Sequence, residues 1–260
     1  LSVTGAELWW LGEQSVAHRP TPQPVNETPV HDFLRERNAE RADRGGVMLA
    51  RVCPPAQMRI PSDLPTGALF PERLRDLHSY AFSDSRSHLL LEGLIGEGRM
   101  LRKFWPMALP DDPAVLGHPL WDLLGVDTIV SATVAQYAGP LATEVFELPG
   151  GRFFVYDRPT ALPRAFVVHE RTRVADDDRV LTAMLDPGFE PARHVLLTPD
   201  QNELLKDAPL GETPDSSRSV RIIDDVPDRV RMEVGDGPAG LLVVRDTEMS
   251  GWTATVDGKE

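Results

Sequence analysis

The sequence predicts a mixed α/β amino-terminal portion, residues 1–207, followed by a β-rich carboxy-terminal portion, residues 208–260. Two observations predict this arrangement. Helix-type and strand-type apolar patterns alternate as far as residue 197, whereas short apolar runs at roughly ten-residue spacing follow residue 219, as is typical of an antiparallel sheet or sandwich. Residues 207–219 between them are polar and rich in turn-forming types, which indicates a linker.

Composition limits the classes of protein to which the chain can belong. Its 260 residues include 24 prolines, which predict long irregular connections, and carry a formal net charge of −13. This acidic balance argues against nucleic acid as a partner, because phosphate backbones bind clustered lysine and arginine. The single cysteine, Cys53, excludes an internal disulfide and a thiolate zinc cluster. No apolar run reaches the length of about 18 residues that predicts a membrane-spanning helix.

Local signals place the elements of the first half. Thr28-Pro29 predicts the N-cap and first turn of a helix that ends before Gly45-Gly46, and residues 47–52 predict a strand. A second helix is expected over residues 85–95. Residues 120–131 predict a helical turn closed by Gly125 and then a buried strand.

The second half begins with a predicted hairpin. Strands at 144–148 and 152–157 flank Pro149-Gly150-Gly151, and a further strand is expected at 162–168. A helix with an acidic first turn, residues 176–185, then leads to a strand at 195–197, so the order strand, helix, strand predicts an α/β crossover.

The carboxy-terminal apolar runs are predicted to form strands at 220–223, 230–234, 241–244 and 252–256, with a turn at 224–228. Asp257-Gly258 supplies the residues of a tight hairpin turn. Because no return strand follows this turn in the sequence, we expect the chain to be a fragment of a longer protein.

Several of these stretches resemble the extracytoplasmic part of YfhO-like bacterial membrane proteins. The resemblance is carried by Leu124-Gly125-Val126, by Pro163-Arg164-Ala165 before an apolar strand, and by Gly251-Trp252 with Asp257-Gly258. It covers residues 120–131, 162–197 and 220–260, and in the weaker stretch 30–95 the tyrosine Tyr80 matches.

The resemblance implies an extracytoplasmic domain of a multi-pass membrane protein related to the C-type glycosyltransferases, which use polyprenyl-phosphate sugars. In such proteins the catalytic acidic residue lies in a loop between membrane helices, outside this chain. The implied role is acceptor recognition or structural support in glycosylation of a cell-envelope polymer. The implied partners are the transmembrane part of the same protein and an envelope glycopolymer or lipid-linked sugar.

Motifs for chemistry were not found in the sequence. The histidines show no helix-spaced pair, and there is no P-loop, no dinucleotide fingerprint and no nucleophile elbow, so no catalytic residue, metal ligand or cofactor is predicted. Asp176-Asp177-Asp178 is compatible with a cation site, although an acidic first helical turn explains it better. The alternative class is a free-standing carbohydrate-binding or glycoside-hydrolase-like module with paired carboxylates.

The candidate contacts for a ligand or acceptor are Arg164, Tyr80 and Trp252. Arg164 suits either an anchor for a phosphate or carboxylate or a structural ion pair, and the ion pair is preferred. Trp252 and Tyr80 could stack on a sugar ring. Because Trp252 alternates with apolar residues, we expect its indole to be buried in the core.

Overall fold

The computed structural model describes residues 28–53, 75–76, 85–95, 109–110, 112–131, 144–148, 151–205, 218–226, 229–246 and 252–258. Its helices are α1 (Pro29–Glu40), α2 (Ser85–Ile95), α3 (Pro113–Leu116), α4 (Leu120–Leu123), α5 (Asp177–Met184) and α6 (Pro199–Leu204), and a 3-10 turn spans Ala42–Arg44. The fold is mixed α and β with a β-rich carboxy-terminal part, as the sequence predicts.

The strands of the first half form the largest sheet in the described part of the chain. They are β1 (Met48–Cys53), β2 (Arg75–Asp76), β3 (Leu109–Pro110), β4 (Thr128–Ser131), β5 (Glu144–Leu148) and β6 (Gly151–Asp157). Strand β1 pairs in parallel with β2, β3 and β4, and the hairpin β5–β6 adds to β4 through an antiparallel β4–β6 ladder.

Helix α1 covers one face of this sheet. Its buried Val30 and Leu34 pack with Val130 of β4 and with Phe153 and Val155 of β6. Complete burial of a side chain such as Leu34 stabilises the folded state by about 1.5–3 kcal/mol. This packing fixes the position of α1 on the sheet, and therefore also the position of the turn that follows α1.

The remaining strands are β7 (Ala165–Val168), β8 (Glu170–Arg173), β9 (His194–Leu197), β10 (Val220–Val226), β11 (Arg229–Val234) and β12 (Leu241–Val244). Strands β8 and β9 are parallel and are joined through α5, so an α/β crossover is present, but its first strand is β8 rather than the predicted strand at 162–168. Strand β8 itself was not predicted. Strands β10 and β11 form an antiparallel hairpin, and β12 pairs antiparallel with β7.

Two carboxy-terminal predictions are wrong. The antiparallel pairing expected there is present as the hairpin β10–β11 and as β12 against β7, which lies in the amino-terminal portion. Residues 252–256 are exposed and form no strand beyond a single bridge at Val256, because no described strand forms a ladder with them. Asp224 and Asp225 belong to β10 rather than to a turn, since a register irregularity after Ile222 keeps them paired with β11.

The hairpin turn predicted at Asp257-Gly258 is present. Asp257 has a φ of 51° and Gly258 a φ of 75°, the combination that a type I′ turn requires. The boundary predicted at residues 207 and 208 falls outside the described residues and stays a prediction. None of the helices in the described ranges is long and apolar enough to cross a membrane.

Candidate functional site

Arg164, the first of the predicted contact residues, lies directly before β7 and is only 6% exposed. Its Nε donates to Oδ1 of Asp246 at 2.9 Å, and its Nη2 donates to Oδ2 of the same carboxylate at 2.6 Å. Its Nη1 lies 2.6 Å from Oδ2 of Asp225. The side chain therefore forms a structural ion pair, the role preferred from its sequence context.

A second arginine completes what we call the ion-pair cluster, namely Arg75, Arg164, Asp225 and Asp246. Arg75 lies 3.5 Å from Asp225 and 4.0 Å from Asp246. Burial acts to lower the pKa of Arg164, but hydrogen bonds and the negative charges of Asp246 and Asp225 outweigh it and raise this pKa. Burial and the charge of Arg164 lower the pKa of Arg75. The cluster joins β2, β7, β10 and the end of β12.

A small pocket that is open to solvent lies among the residues next to this cluster. We call it the arginine pocket, because Arg41, Arg44, Arg158 and Arg245 line it together with Asp127. Its walls are the turn after α1, the turn before β4, the segment 158–163 and the end of β12. The pocket is therefore built from parts of the chain that are distant in sequence.

Arg245 reaches the pocket because β12 pairs with β7. Val244 pairs with Ala165, and the backbone N–H of Arg245 donates to the carbonyl of Arg164 at 2.9 Å. The guanidinium then donates from Nε to the carbonyl of Pro163 at 2.8 Å, and from Nη2 to the carbonyl of Leu162 at 3.0 Å. These bonds fix the direction of the side chain.

Gly125 makes room for the Arg245 guanidinium. Its φ of 68° lies in the left-handed region that favours glycine. A methyl group at this position would also overlap the guanidinium of Arg245. Two stretches that carry the resemblance, Leu124-Gly125-Val126 and Pro163-Arg164-Ala165, thus contact the same arginine, which lies within the third range of the resemblance, residues 220–260.

Two of the pocket arginines are neutralised by carboxylates. Nη1 of Arg41 lies 2.7 Å from Oδ2 of Asp127, and Nε of Arg158 donates to Oδ1 of Asp122 at 2.7 Å. Arg158 also donates to the carbonyl of Leu116 at 2.6 Å. These two side chains are therefore engaged in structural contacts.

The other two arginines lack such partners. In the part of the chain that the structure describes, no carboxylate forms a salt bridge with Arg44 or Arg245. Burial, followed by the positive charge of Arg75, lowers the pKa of Arg245 to about 10. The pKa is lowered because the guanidinium of Arg245 is partly removed from water and no carboxylate among the described residues is in direct contact with it. A bound anion would supply that countercharge.

The aromatic candidates have different environments. Trp252 is 50% exposed, so the prediction that it is buried is wrong, because the segment that carries it forms no ladder in the described structure. Tyr80 lies outside the described residues. Trp121, in contrast, is buried, and its Nε1 donates to the carbonyl of Val115 at 2.6 Å.

The acidic run Asp176-Asp177-Asp178 lies at the start of α5, as predicted. Asp176 is the N-cap, and its Oδ1 accepts the backbone N–H of Arg179 at 2.9 Å. Helix capping and the helix dipole therefore account for these carboxylates. Within the described ranges, no three His, Cys, Asp or Glu side chains are grouped as metal ligands.

The arginine pocket itself was not predicted from the sequence. One signal was available: Arg41 and Arg44 follow the end of α1, Arg158 follows β6, and Arg245 follows β12. Arginines directly after element ends can point into a shared crevice, but only the topology shows that these ends meet.

Comparison of the chain with protein-family models, with curated proteins and with solved structures gave no match. The resemblance to YfhO-like proteins therefore depends on the sequence motifs alone and stays a prediction.

Proposed function

We propose that this chain is an extracytoplasmic, non-catalytic recognition domain of a bacterial YfhO-like membrane protein related to the C-type glycosyltransferases. The observation that carries the proposal is the convergence of the resembling stretches on one pocket. Gly125 and Pro163 both contact Arg245, although they lie far apart in the sequence. This convergence supports a shared binding surface at the pocket.

The chemistry of the pocket suits binding better than catalysis. Arginine stays protonated at physiological pH, so its guanidinium holds anions but does not act as a general acid or base there. The carboxylate in the pocket lining, Asp127, already contacts Arg41 at 2.7 Å and accepts the hydroxyl of Thr128 at 2.9 Å. We therefore assign the pocket to recognition of an acceptor, beside a catalytic site in the membrane part of the same protein.

Protease accessibility in the parent protein tests the proposed location. Protease added to intact spheroplasts of the producing bacterium should cleave this domain while a cytoplasmic marker protein stays whole. Cleavage that requires lysis would contradict an extracytoplasmic domain. Separately, the isolated chain should neither transfer nor hydrolyse sugars, and measurable turnover would contradict the assigned non-catalytic role.

A free-standing carbohydrate-binding module is the second candidate, and the exposed indole of Trp252 favours it. Aromatic side chains at the surface can stack on sugar rings. Binding of the isolated chain to a glycan panel distinguishes the two candidates. If Trp252→Ala abolishes glycan binding while the melting temperature and anion binding at the arginine pocket stay unchanged, the carbohydrate-binding module is supported instead.

A further inference from the structure

We propose that the arginine pocket binds a doubly charged phosphate group, a phosphate monoester or a diphosphate, between Arg44 and Arg245. This inference rests on the proposed function in that it takes this pocket as the recognition site. It goes further by naming the chemical class of the ligand. The inference is argued from the charge balance of the pocket, from the partial burial of Arg245 and from the residues that line the pocket.

The charge balance selects a dianion. Asp127 contacts Arg41 and Asp122 contacts Arg158, so among the described residues Arg44 and Arg245 are the pocket arginines without a carboxylate in direct contact, and together they carry a charge of +2. A phosphate monoester carries a charge of about −1.5 to −2 at pH 7, whereas a carboxylate or a phosphodiester carries a single negative charge. A monoester or diphosphate therefore matches the pocket best.

The environment of Arg245 strengthens its attraction for an anion. Two of its nitrogens donate to the carbonyls of Pro163 and Leu162, so the guanidinium is oriented before any ligand arrives. The side chain is partly withdrawn from water, and charge-assisted hydrogen bonds are stronger in such surroundings. Gly125, which has no side chain, lets this group lie at the pocket wall.

Arg44 supplies the second charge from the solvent side. It ends the 3-10 turn after α1 and its side chain is exposed, while its carbonyl accepts the backbone N–H of Arg164 at 3.1 Å. Its backbone is therefore fixed to the same segment, residues 162–164, that orients Arg245. An exposed arginine that lines the same pocket as the partly buried Arg245 can reach a ligand there without rearrangement of the fold.

Because the whole chain is acidic, phosphate binding would depend on close contacts with the arginines of the pocket. With a formal net charge of −13, the surface repels anions at long range, so weak nonspecific binding of phosphate is disfavoured. Binding that occurs must come from close contacts in the pocket. A soluble phosphorylated sugar and the headgroup of a phosphate-monoester lipid share this chemistry, and both can enter a pocket that is open to solvent.

Calorimetric titration of the folded chain with inorganic phosphate, pyrophosphate and glucose 1-phosphate tests the inference, with acetate as the singly charged reference. We expect the phosphates to bind and acetate to bind at least roughly tenfold more weakly, as the loss of one charge-assisted contact implies. Absence of binding by all three phosphates up to about 10 mM, the range of very weak complexes, would overturn the proposal.

Substitutions locate the binding. Arg44→Gln removes one charge from an exposed side chain and should weaken phosphate binding roughly tenfold. The matched control is Arg152→Gln, an equally drastic change at an exposed arginine that pairs with Glu147 at 2.5 Å away from the pocket. Equal weakening by both variants would show a general charge effect and overturn the site. Because Arg245→Met removes structural hydrogen bonds, it is interpreted only if its melting curve remains cooperative.

Vesicles identify the source of the phosphate. Cosedimentation with phosphatidic acid in phosphatidylcholine, abolished by Arg44→Gln, assigns the pocket to a lipid headgroup. Binding of glucose 1-phosphate without cosedimentation assigns it to a soluble ester, and failure of both overturns the inference. Should phosphate bind while the spheroplast experiment contradicts an extracytoplasmic location, the proposed function fails and the anion site stands.

Discussion

Replacing Arg164 by methionine should destabilise the protein markedly. The arginine side chain is 8% exposed and holds two carboxylates from different parts of the chain, Asp225 of β10 and Asp246 after β12. Methionine has a similar length and packs as an apolar chain, but it cannot donate a hydrogen bond. The variant therefore removes the ionic contacts while it keeps most of the packing.

The expected cost follows from the exposure of the partners. Removing one partner of a fully buried ion pair costs about 3–5 kcal/mol. Here the side chains of Asp225 and Asp246 are 44% and 35% exposed, so both can regain water, and Arg75 remains within 3.5 and 4.0 Å of them. We therefore expect a loss of about 2–3 kcal/mol in the free energy of unfolding, and a fall in Tm of roughly 5–10 °C.

Scanning calorimetry and urea denaturation measure this loss, with Arg193→Gln as the matched control. Arg193 also contacts two carboxylates, those of Glu170 and Glu190, but at the surface, so its replacement should leave Tm unchanged within error. The pair Arg164→Met and Asp246→Asn should be clearly non-additive, because the second change removes a charge that the first leaves unpaired. If Arg164→Met melts like Arg193→Gln, the reasoning about the cluster is refuted.

Four further outcomes are expected. Gly125→Ala should cost about 1–2 kcal/mol because of its left-handed conformation, and should also weaken phosphate binding by displacing Arg245, as melting and titration on one preparation will show. Trp252→Ala should change the free energy of unfolding in urea by less than about 1 kcal/mol, since the indole is 50% exposed; a loss of about 3 kcal/mol would mean that it is buried. Asp176→Ala should lower the free energy of unfolding in urea by about 1 kcal/mol through loss of the N-cap of α5. Addition of a chelator should leave the Tm of the wild type and of this variant unchanged. Phosphate binding, titrated at each pH, should tighten as pH rises from about 5 to 7, because the second phosphate proton leaves near pH 6 while Arg245, with a pKa of about 10, stays charged; no change would contradict a dianion.

Local signals predicted most of the helices and several strands. Helix α2 spans Ser85–Ile95, as the apolar face and the flanking residues indicated, and α1 begins at Pro29 after the N-cap Thr28. Such signals act within a few residues, so they can be read without knowledge of the fold. The same is true of the hairpin β5–β6 and of the acidic first turn of α5.

Strand pairing in the carboxy-terminal part could not be predicted in this way. An apolar run such as Leu241–Val244 forms a strand against any suitable edge, and here the available edge is β7 rather than β11. Asp224 and Asp225 resemble turn residues, yet Asp225 is held in β10 next to the guanidinium of Arg164. A tertiary ion pair thus overrides the local preference of aspartate for turns.

The candidate site was less accessible to sequence reasoning than the fold. Arg164 was identified with its preferred structural role, but Trp252 was expected in the core and is exposed. The arginine pocket depends on which element ends meet, and this follows from the pairing of β12 with β7 that the sequence did not reveal. Nothing in the spacing of Arg44 and Arg245 along the chain indicates that they share a pocket.

A crystal structure of the chain grown with pyrophosphate tests the central claim most directly. We predict that β12 pairs antiparallel with β7, and that one phosphate group lies between the guanidinium groups of Arg44 and Arg245, within hydrogen-bond distance of both. A structure in which Arg245 does not reach the carbonyls of Leu162 and Pro163, or in which pyrophosphate binds elsewhere and this pocket is empty, would contradict the account.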